Sequence, residues 1–261
     1  MRSGQIHGND DPVRVLHLTD PHLFGDTAGV LRGIATHASL ASVIQHYQAG
    51  DWRAHIAALT GDLIQDDTKA AYQECRKLIA QLELPVYCVP GNHDARALMR
   101  EVLAEPPFYY CGSTESGNWL IVGIDTCAAG RAGGYVTVDV QSRLSAIIAA
   151  SRAEHVMVCL HHPPVPMGSA WLDTVGLDNG EEFLVKLQSS GKVRLAIFGH
   201  VHQAYDEIHD GIQIIATPST CRQFMQGSDE FAVDDNPPAY RRISLHADGQ
   251  VQTELVWVKH E

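Results

Sequence analysis

Short apolar runs alternate along the chain with longer stretches whose apolar positions recur three and four apart. Residues 13–18, 56–60, 85–89, 119–124, 156–160 and 193–198 are near-continuous apolar runs of strand length. Such runs suit strands covered on both faces. Between them, residues 36–48, 67–82, 95–103, 139–151 and 181–190 carry a helical period, with Leu40, Val43, Ile44 and Tyr47 on one face of the first. Beyond His202 the pattern shortens, and residues 212–216, 240–245 and 251–258 predict strands, with Asp248-Gly249 as a turn. Strands alternating with helices predict an α/β fold, to which the C-terminal third adds a mixed sheet or a second sheet packed on the first. No repeat, low-complexity tract or Gly/Ser linker interrupts the pattern. Residues 13–261 are therefore expected to form a single domain behind a flexible tail at 1–12.

Composition narrows the partners. The 261 residues carry 31 acidic against 19 basic side chains, a net charge of −12 with histidine neutral. That balance argues against a nucleic-acid binder, which needs a basic face. It leaves room for a small phosphorylated ligand, because bound cations invert the sign of a pocket. The 15 histidines are many for this length, and histidine is the commonest metal ligand. The six cysteines form no CxxC pair and sit mostly in apolar segments, which predicts reduced, buried thiols. The polar N-terminus has no secretory pattern and no apolar run approaches a membrane span, so the expectation is a cytoplasmic protein without a membrane partner.

The residues suited to chemistry sit directly after the strands. Thr19-Asp20-Pro21-His22 succeeds the first, Gly61-Asp62 the second and Pro90-Gly91-Asn92-His93-Asp94 the third. His161-His162-Pro163-Pro164 and Gly199-His200-Val201-His202 succeed two later strands. Singly, each is a turn, a cap or a solvated histidine. Jointly, five strand ends bearing N and O donors without thiolates predict a catalytic metal site in the crevice beyond the sheet. His162, beside His161 on an extended segment, is expected to face away from any ion.

In order and without a gap, Asp20-x-His22, Gly61-Asp62, Gly91-Asn92-His93-Asp94, His161 and Gly199-His200-x-His202 resemble the signature of the calcineurin-like metallophosphoesterases. Residues 59–66, 88–94, 218–224 and 231–245 are further similar to the class III cyclic nucleotide phosphodiesterases, bacterial cyclic-AMP phosphodiesterases in particular. The resemblance implies a four-layer αββα sandwich of mixed sheets with the metal site at strand ends. It also implies two divalent transition-metal ions per chain, iron or manganese, with zinc admissible. Asp20, His22 and His202 would bind the first ion, Asn92, His161 and His200 the second, with Asp62 bridging. One carboxylate can span ions ~3.5–4 Å apart.

By the same resemblance, cyclic AMP is hydrolysed to 5′-AMP by hydroxide generated between two metals. The substrate phosphate lies against His22, Asn92, His93 and His161. His93, left over from ligation, protonates the leaving alkoxide, and Asp94 orients it. Phe24, Arg32 and residues 218–224 are candidates for gripping the adenine, each more naturally structural. A broader phosphodiesterase acting on glycerophosphodiesters, and a metal-binding scaffold without catalysis, are the competing readings. A homodimer is compatible with the group.

Overall fold

The computed structural model describes residues 11–259, so most of the expected tail, residues 1–10, lies outside the described residues. Two six-stranded mixed sheets organise the chain. In the first, Val13–Leu18, Ile56–Thr60, Val86–Val89 and Phe108–Tyr110 run parallel, and Ala239–Leu245 and Val251–Trp257 extend it antiparallel beside Val13–Leu18. In the second, Trp119–Gly123, His155–Cys159, Val193–Phe198 and Ile212–Ala216 are parallel. Ser113–Ser116 and Tyr205–His209 close its edges antiparallel.

The period-two alternation of side chains tells where each face goes. Val13 and Val15, Ile56 and Ala58 meet Met157, Cys159, Leu195 and Ile197 in one apolar layer between the sheets. Leu16, Leu18, Ala57 and Leu59, on the opposite face of the first sheet, pack on Leu40, Ile44, Tyr72 and Leu78 of the helices Thr36–Ala49 and Lys69–Ala80. Leu120, Val122, Val158 and Phe198 do likewise for the second sheet against Leu144, Ile148, Phe183 and Leu187, from the helices Val138–Ala150 and Gly180–Ser189. The outcome is the αββα layering. It explains the near-continuous apolar runs, because both faces of every central strand are covered.

Where structure departs from expectation, local chemistry gives the reason. The helix expected over 67–82 spans Lys69–Ala80 instead. Asp67 takes the left-handed conformation at φ 53°, and the Thr68 hydroxyl caps the helix by accepting from the Ala71 N–H. The unpredicted strands Ser113–Ser116 and Tyr205–His209 are half-exposed edges with polar sequences, so no hydrophobic period marks them. All six cysteines are free thiols, five buried and Cys127 partly so. Among the described residues no helix is long and apolar enough to cross a membrane.

Candidate metal centre

The donors read from the sequence converge beyond the carboxyl ends of five strands, three in the first sheet and two in the second. The crevice therefore straddles the sheet pair. Its backbone is strained. Asp20, His22, Asp62, His200 and His202 all have positive φ, between 47° and 69°. That region is sparsely populated by residues other than glycine and persists only where surroundings over-determine it. Here they do. The Asp20 N–H donates to the Gly61 carbonyl and the His22 N–H to that of Asp62, while the His200 N–H donates to the Asp20 carboxylate, each at 3.0 or 3.1 Å. Gly61 and Gly91 allow the loops to interlock. A Cβ on Gly61, at φ 88°, would lie 2.6 Å from the Gly91 nitrogen, and one on Gly91 would lie 2.2 Å from Asp62 Oδ1.

The imidazole tautomers are set from outside the centre. His22 Nδ1 faces Gln65 Oε1 at 2.9 Å, His161 Nδ1 faces the Thr60 carbonyl at 2.8 Å, and His202 Nδ1 faces the Arg222 carbonyl. Each acceptor requires the proton on Nδ1, which leaves Nε2 as a lone pair aimed inward. Yet the Nε2 atoms of His22 and His202 stand 3.1 Å apart, and the Asp20 Oδ1 oxygen lies 3.4 Å from the latter. On the other side His161 Nε2, His200 Nδ1 and Asn92 Oδ1 lie 2.9 to 3.2 Å from one another. Facing lone pairs at such distances repel unless a proton or cation sits among them. Asp20, His22 and His202 form one group of donors within 4.8 Å of one another, and Asp20, Asp62 and His161 another. Asp62 turns Oδ1 to His161 at 3.4 Å and Oδ2 to His22 at 3.8 Å, so its two oxygens look into the two halves. The residues present fit a pair of cations.

Electrostatics agree. Burial opposes ionisation of Asp62, but His161 and His22 hold its carboxyl well below the usual range. Burial likewise opposes ionisation of Asp20, and His202 lowers its carboxyl nonetheless. Burial would lower His161, and Asp62 and Asp20 override it, pushing the imidazole up to about 9. Without metal, then, His161 carries the proton that a cation would replace. His22 is lowered to about 4 by burial, despite Asp62.

Around these donors, three placements refine the sequence reading. His162 is fully buried, and both its nitrogens are occupied, Nδ1 at 2.8 Å from Thr126 Oγ1 and Nε2 at 3.0 Å from the Ala132 carbonyl. It lies within the same compass as His161 and His200, but its donor atoms are spent. Asp94 does not bond to His93, contrary to the expected orienting role. Its carboxylate instead accepts from the Gly91 N–H at 2.8 Å, the Leu63 N–H at 3.1 Å and the Tyr72 hydroxyl at 2.9 Å, locking the two ligand loops together. Burial, then the nearby Asp62 charge, raises Asp94 to about 7. His93 is exposed, its ring centre 5.0 Å from that of His22 in an edge-to-face arrangement and its backbone N–H donating to Asp62 Oδ1 at 2.9 Å.

Residues 218–224 run behind the first loop, where the Ser219 hydroxyl donates to the Asp20 carbonyl at 2.7 Å, and end with the Phe224 ring stacked on His202 at 4.1 Å. Phe24 packs on the backbone of Gly29, and Arg32 projects from the hairpin Val30–Leu31/Ile34–Ala35. Trp171 had no sequence signal, and Gln65 lies in the resembling stretch 59–66 without a role assigned to it there. Gln65 is one polar residue of a turn, and Trp171 belongs to a single helical turn, Ala170–Asp173.

Residues 13–204 match the calcineurin-like phosphoesterase family. The chain is 34% identical over 248 residues to the 3′,5′-cyclic adenosine monophosphate phosphodiesterase CpdA of Vibrio vulnificus, covering 95% of this chain and 90% of that protein. It is 32% identical over 257 residues to the protein of that name from Haemophilus influenzae, covering 98% and 94%. Among solved structures, a dimetal phosphatase from Danio rerio superposes with a TM-score of 0.67 at 17% identity, covering 95% of this chain and all of that one, a likeness of fold.

Proposed function

The chain belongs to the calcineurin-like phosphoesterase family, and from that premise we propose that it hydrolyses 3′,5′-cyclic AMP to 5′-AMP at the His/Asp centre. The observation that carries the reading is Asp62, whose two carboxylate oxygens face donors on opposite sides of one cluster. Asp20, His22 and His202 would hold one divalent ion, Asn92, His161 and His200 the other, and Asp62 both. Iron or manganese suits these N/O donors best, and zinc is admissible. When bound, such a pair supplies a water of near-neutral pKa and positive charge for the phosphoryl oxygens.

The remaining work falls to the chain. His93 stands at the exposed mouth, anchored through its backbone to Asp62. Its imidazolium would give its proton to O3′ as the P–O3′ bond breaks, which a poorly leaving alkoxide requires. Its position also lets it share the phosphate with Asn92, His22 and His161. Asp94 contributes by holding the Gly91 and Leu63 backbone in register, so that Asn92, His93 and Asp62 keep their spacing. The unit doing this is taken as residues 13–261, because strands from both ends of that range build the layer between the sheets.

The experiment is a substrate panel on manganese-loaded protein, comprising cyclic AMP, cyclic GMP, bis(p-nitrophenyl) phosphate and a glycerophosphodiester, with chromatographic identification of products. Conversion of cyclic AMP to 5′-AMP is expected. A 3′-AMP product would reverse the leaving group. Rapid glycerophosphodiester cleavage without cyclic AMP turnover would assign a broader phosphodiesterase, and inactivity on all four with metal bound would assign a scaffold.

A further inference from the structure

One wall of the crevice is aromatic, and nothing in the phosphoester chemistry requires it. Phe224 stacks on His202 with ring planes 4° apart. Beyond it, Phe231 meets Phe224 at 5.2 Å and Trp171 at 5.1 Å, both edge-to-face. The Arg32 guanidinium lies over the Phe231 ring, 4.2 Å from its centre. These four side chains come from three separate loops. Trp171 is on the helical turn after His161-His162, Phe224 is in the first strand of the hairpin Gln223–Phe224/Val233–Asp234 and Phe231 in its connecting loop, and Arg32 sits at the tip of the early hairpin. The Ser169 hydroxyl donates to the Ser228 carbonyl, tying the first of these loops to the second.

A satellite core would be covered, but Phe231 keeps 43% of its surface exposed and the neighbouring Met225 47%. The Trp171 Nε1 donor is buried with no hydrogen-bond partner. Arg32 takes part in no ion pair among the described residues. The cluster thus starts one ring from a histidine of the metal centre and ends at an exposed ring capped by a planar cation. A flat π-system attached to a phosphate through one sugar matches that layout. Aromatic faces and arginine planes are what purine bases stack on.

We infer that the base of the nucleotide is seated on Phe231, between that ring and the Arg32 guanidinium, with Phe224 and Trp171 fixing the ring from the side. This rests on the reading of the centre as a cyclic-nucleotide phosphodiesterase and adds to it the residues that choose a nucleotide over a baseless diester. Arg32 swings at the hairpin tip to admit the base, and its charge favours an anionic ligand against the chain's net −12.

The test is calorimetric titration of the manganese-loaded protein with 5′-AMP and with ribose 5-phosphate, which share the phosphate and differ by the base. Wild type should bind 5′-AMP about tenfold more tightly, the stacking of one base. In Phe231→Ala and Arg32→Ala that preference should fall toward one, and Phe231→Tyr should keep it. Both positions are exposed, and unchanged melting temperatures would show that the variants fold. A wild-type preference near one, or a preference surviving both alanine variants, overturns the inference. Cyclic AMP turnover by wild type is scored separately. Its absence beside a preference that collapses in the variants would sink the substrate reading and leave the base seat standing, while turnover with an unaffected preference would do the reverse.

Discussion

Each donor in the centre is held by a contact that its neighbours in sequence do not supply. Under the proposed assignment Asp62 serves both ions and Asp20 and His200 one each, so Asp62→Ala should lose more metal than Asp20→Ala or His200→Ala. Elemental analysis of the three purified variants decides this, and two ions per chain retained in Asp62→Ala would refute it. Gly91→Ala should be nearly as damaging without removing a ligand. Its methyl would meet Asp62 Oδ1 at 2.2 Å and the Asp62 backbone nitrogen at 2.4 Å, an overlap that costs about 1–3 kcal/mol of stability and displaces the Asp62 carboxylate. His93 differs in kind. His93→Ala should keep both ions yet slow hydrolysis of an alkoxide ester roughly 10²–10⁴-fold. The loss on an activated aryl ester should be smaller, because that leaving group needs less protonation. Equal losses would reduce His93 to a phosphate contact.

Among elements, the loop after Val86–Val89 and the turn after Ile56–Thr60 act as one piece because Asp94 staples them. Asp94→Ala leaves the Gly91 and Leu63 N–H groups without their acceptor, at about 1–3 kcal/mol for each that water cannot reach. Tyr72→Phe removes a single bond to the same carboxylate, worth about 1 kcal/mol. Urea denaturation should rank Asp94→Ala well below Tyr72→Phe, with turnover in the same order. A pure hydrogen-bond relay to His93 would instead spare stability and shift only the pH profile. That Asp94 serves the loops and not His93 could not be read from Gly91-Asn92-His93-Asp94. The tetrapeptide does not say which way a side chain turns once Tyr72 is behind it. The helix boundary at Lys69 has a similar source, since one left-handed Asp67 and one capping Thr68 outweigh the apolar period that runs on either side.

For the whole molecule, two buried histidines set a pH response that metal loading does not explain. His17 lies under the crevice, Nε2 at 2.7 Å from Thr60 Oγ1 and Nδ1 at 2.7 Å from Thr217 Oγ1. Burial and then Arg241 push it down to about 3, and burial aided by His161 takes His162 to about 3 as well. Both folded-state values lie below the unfolded one, about 6.5, so the unfolded chain binds the extra protons. Their contribution is complete above pH 6.5 and drains as pH falls toward 3, at about 1.4 kcal/mol per pH unit for each group. Urea midpoints of the metal-free protein should fall between pH 7.5 and 4.5, with His22 and His200, also lowered by burial, adding to that slope and Asp94, raised to about 7, opposing it, so the share of one histidine is read by variant. His17→Gln, which keeps a donor and an acceptor, should flatten it by one group's share. An unchanged slope in His17→Gln would remove His17 from the account.

The same scale separates the two sources of information in this protein. Central strands declared themselves because both faces are covered, which writes a run of apolar residues, and the donors declared themselves because each comes directly after such a run. That position marks Asp20, His22, Asp62, Asn92, His161, His200 and His202 together with His93, Asp94 and His162, and only the family resemblance separates the expected ligands from these neighbours. Edge strands such as Tyr205–His209 could not, since a half-solvated strand leaves no apolar run. Nor could the tautomers, which depend on Gln65, Thr60 and Arg222 meeting histidines 43, 101 and 20 residues away. The aromatic wall joins Arg32, Trp171 and Phe231 across three loops for the same reason. Local pattern records what a residue and its near neighbours bury, whereas contacts between distant loops exist only after two sheets have packed face to face and brought their strand ends to one rim.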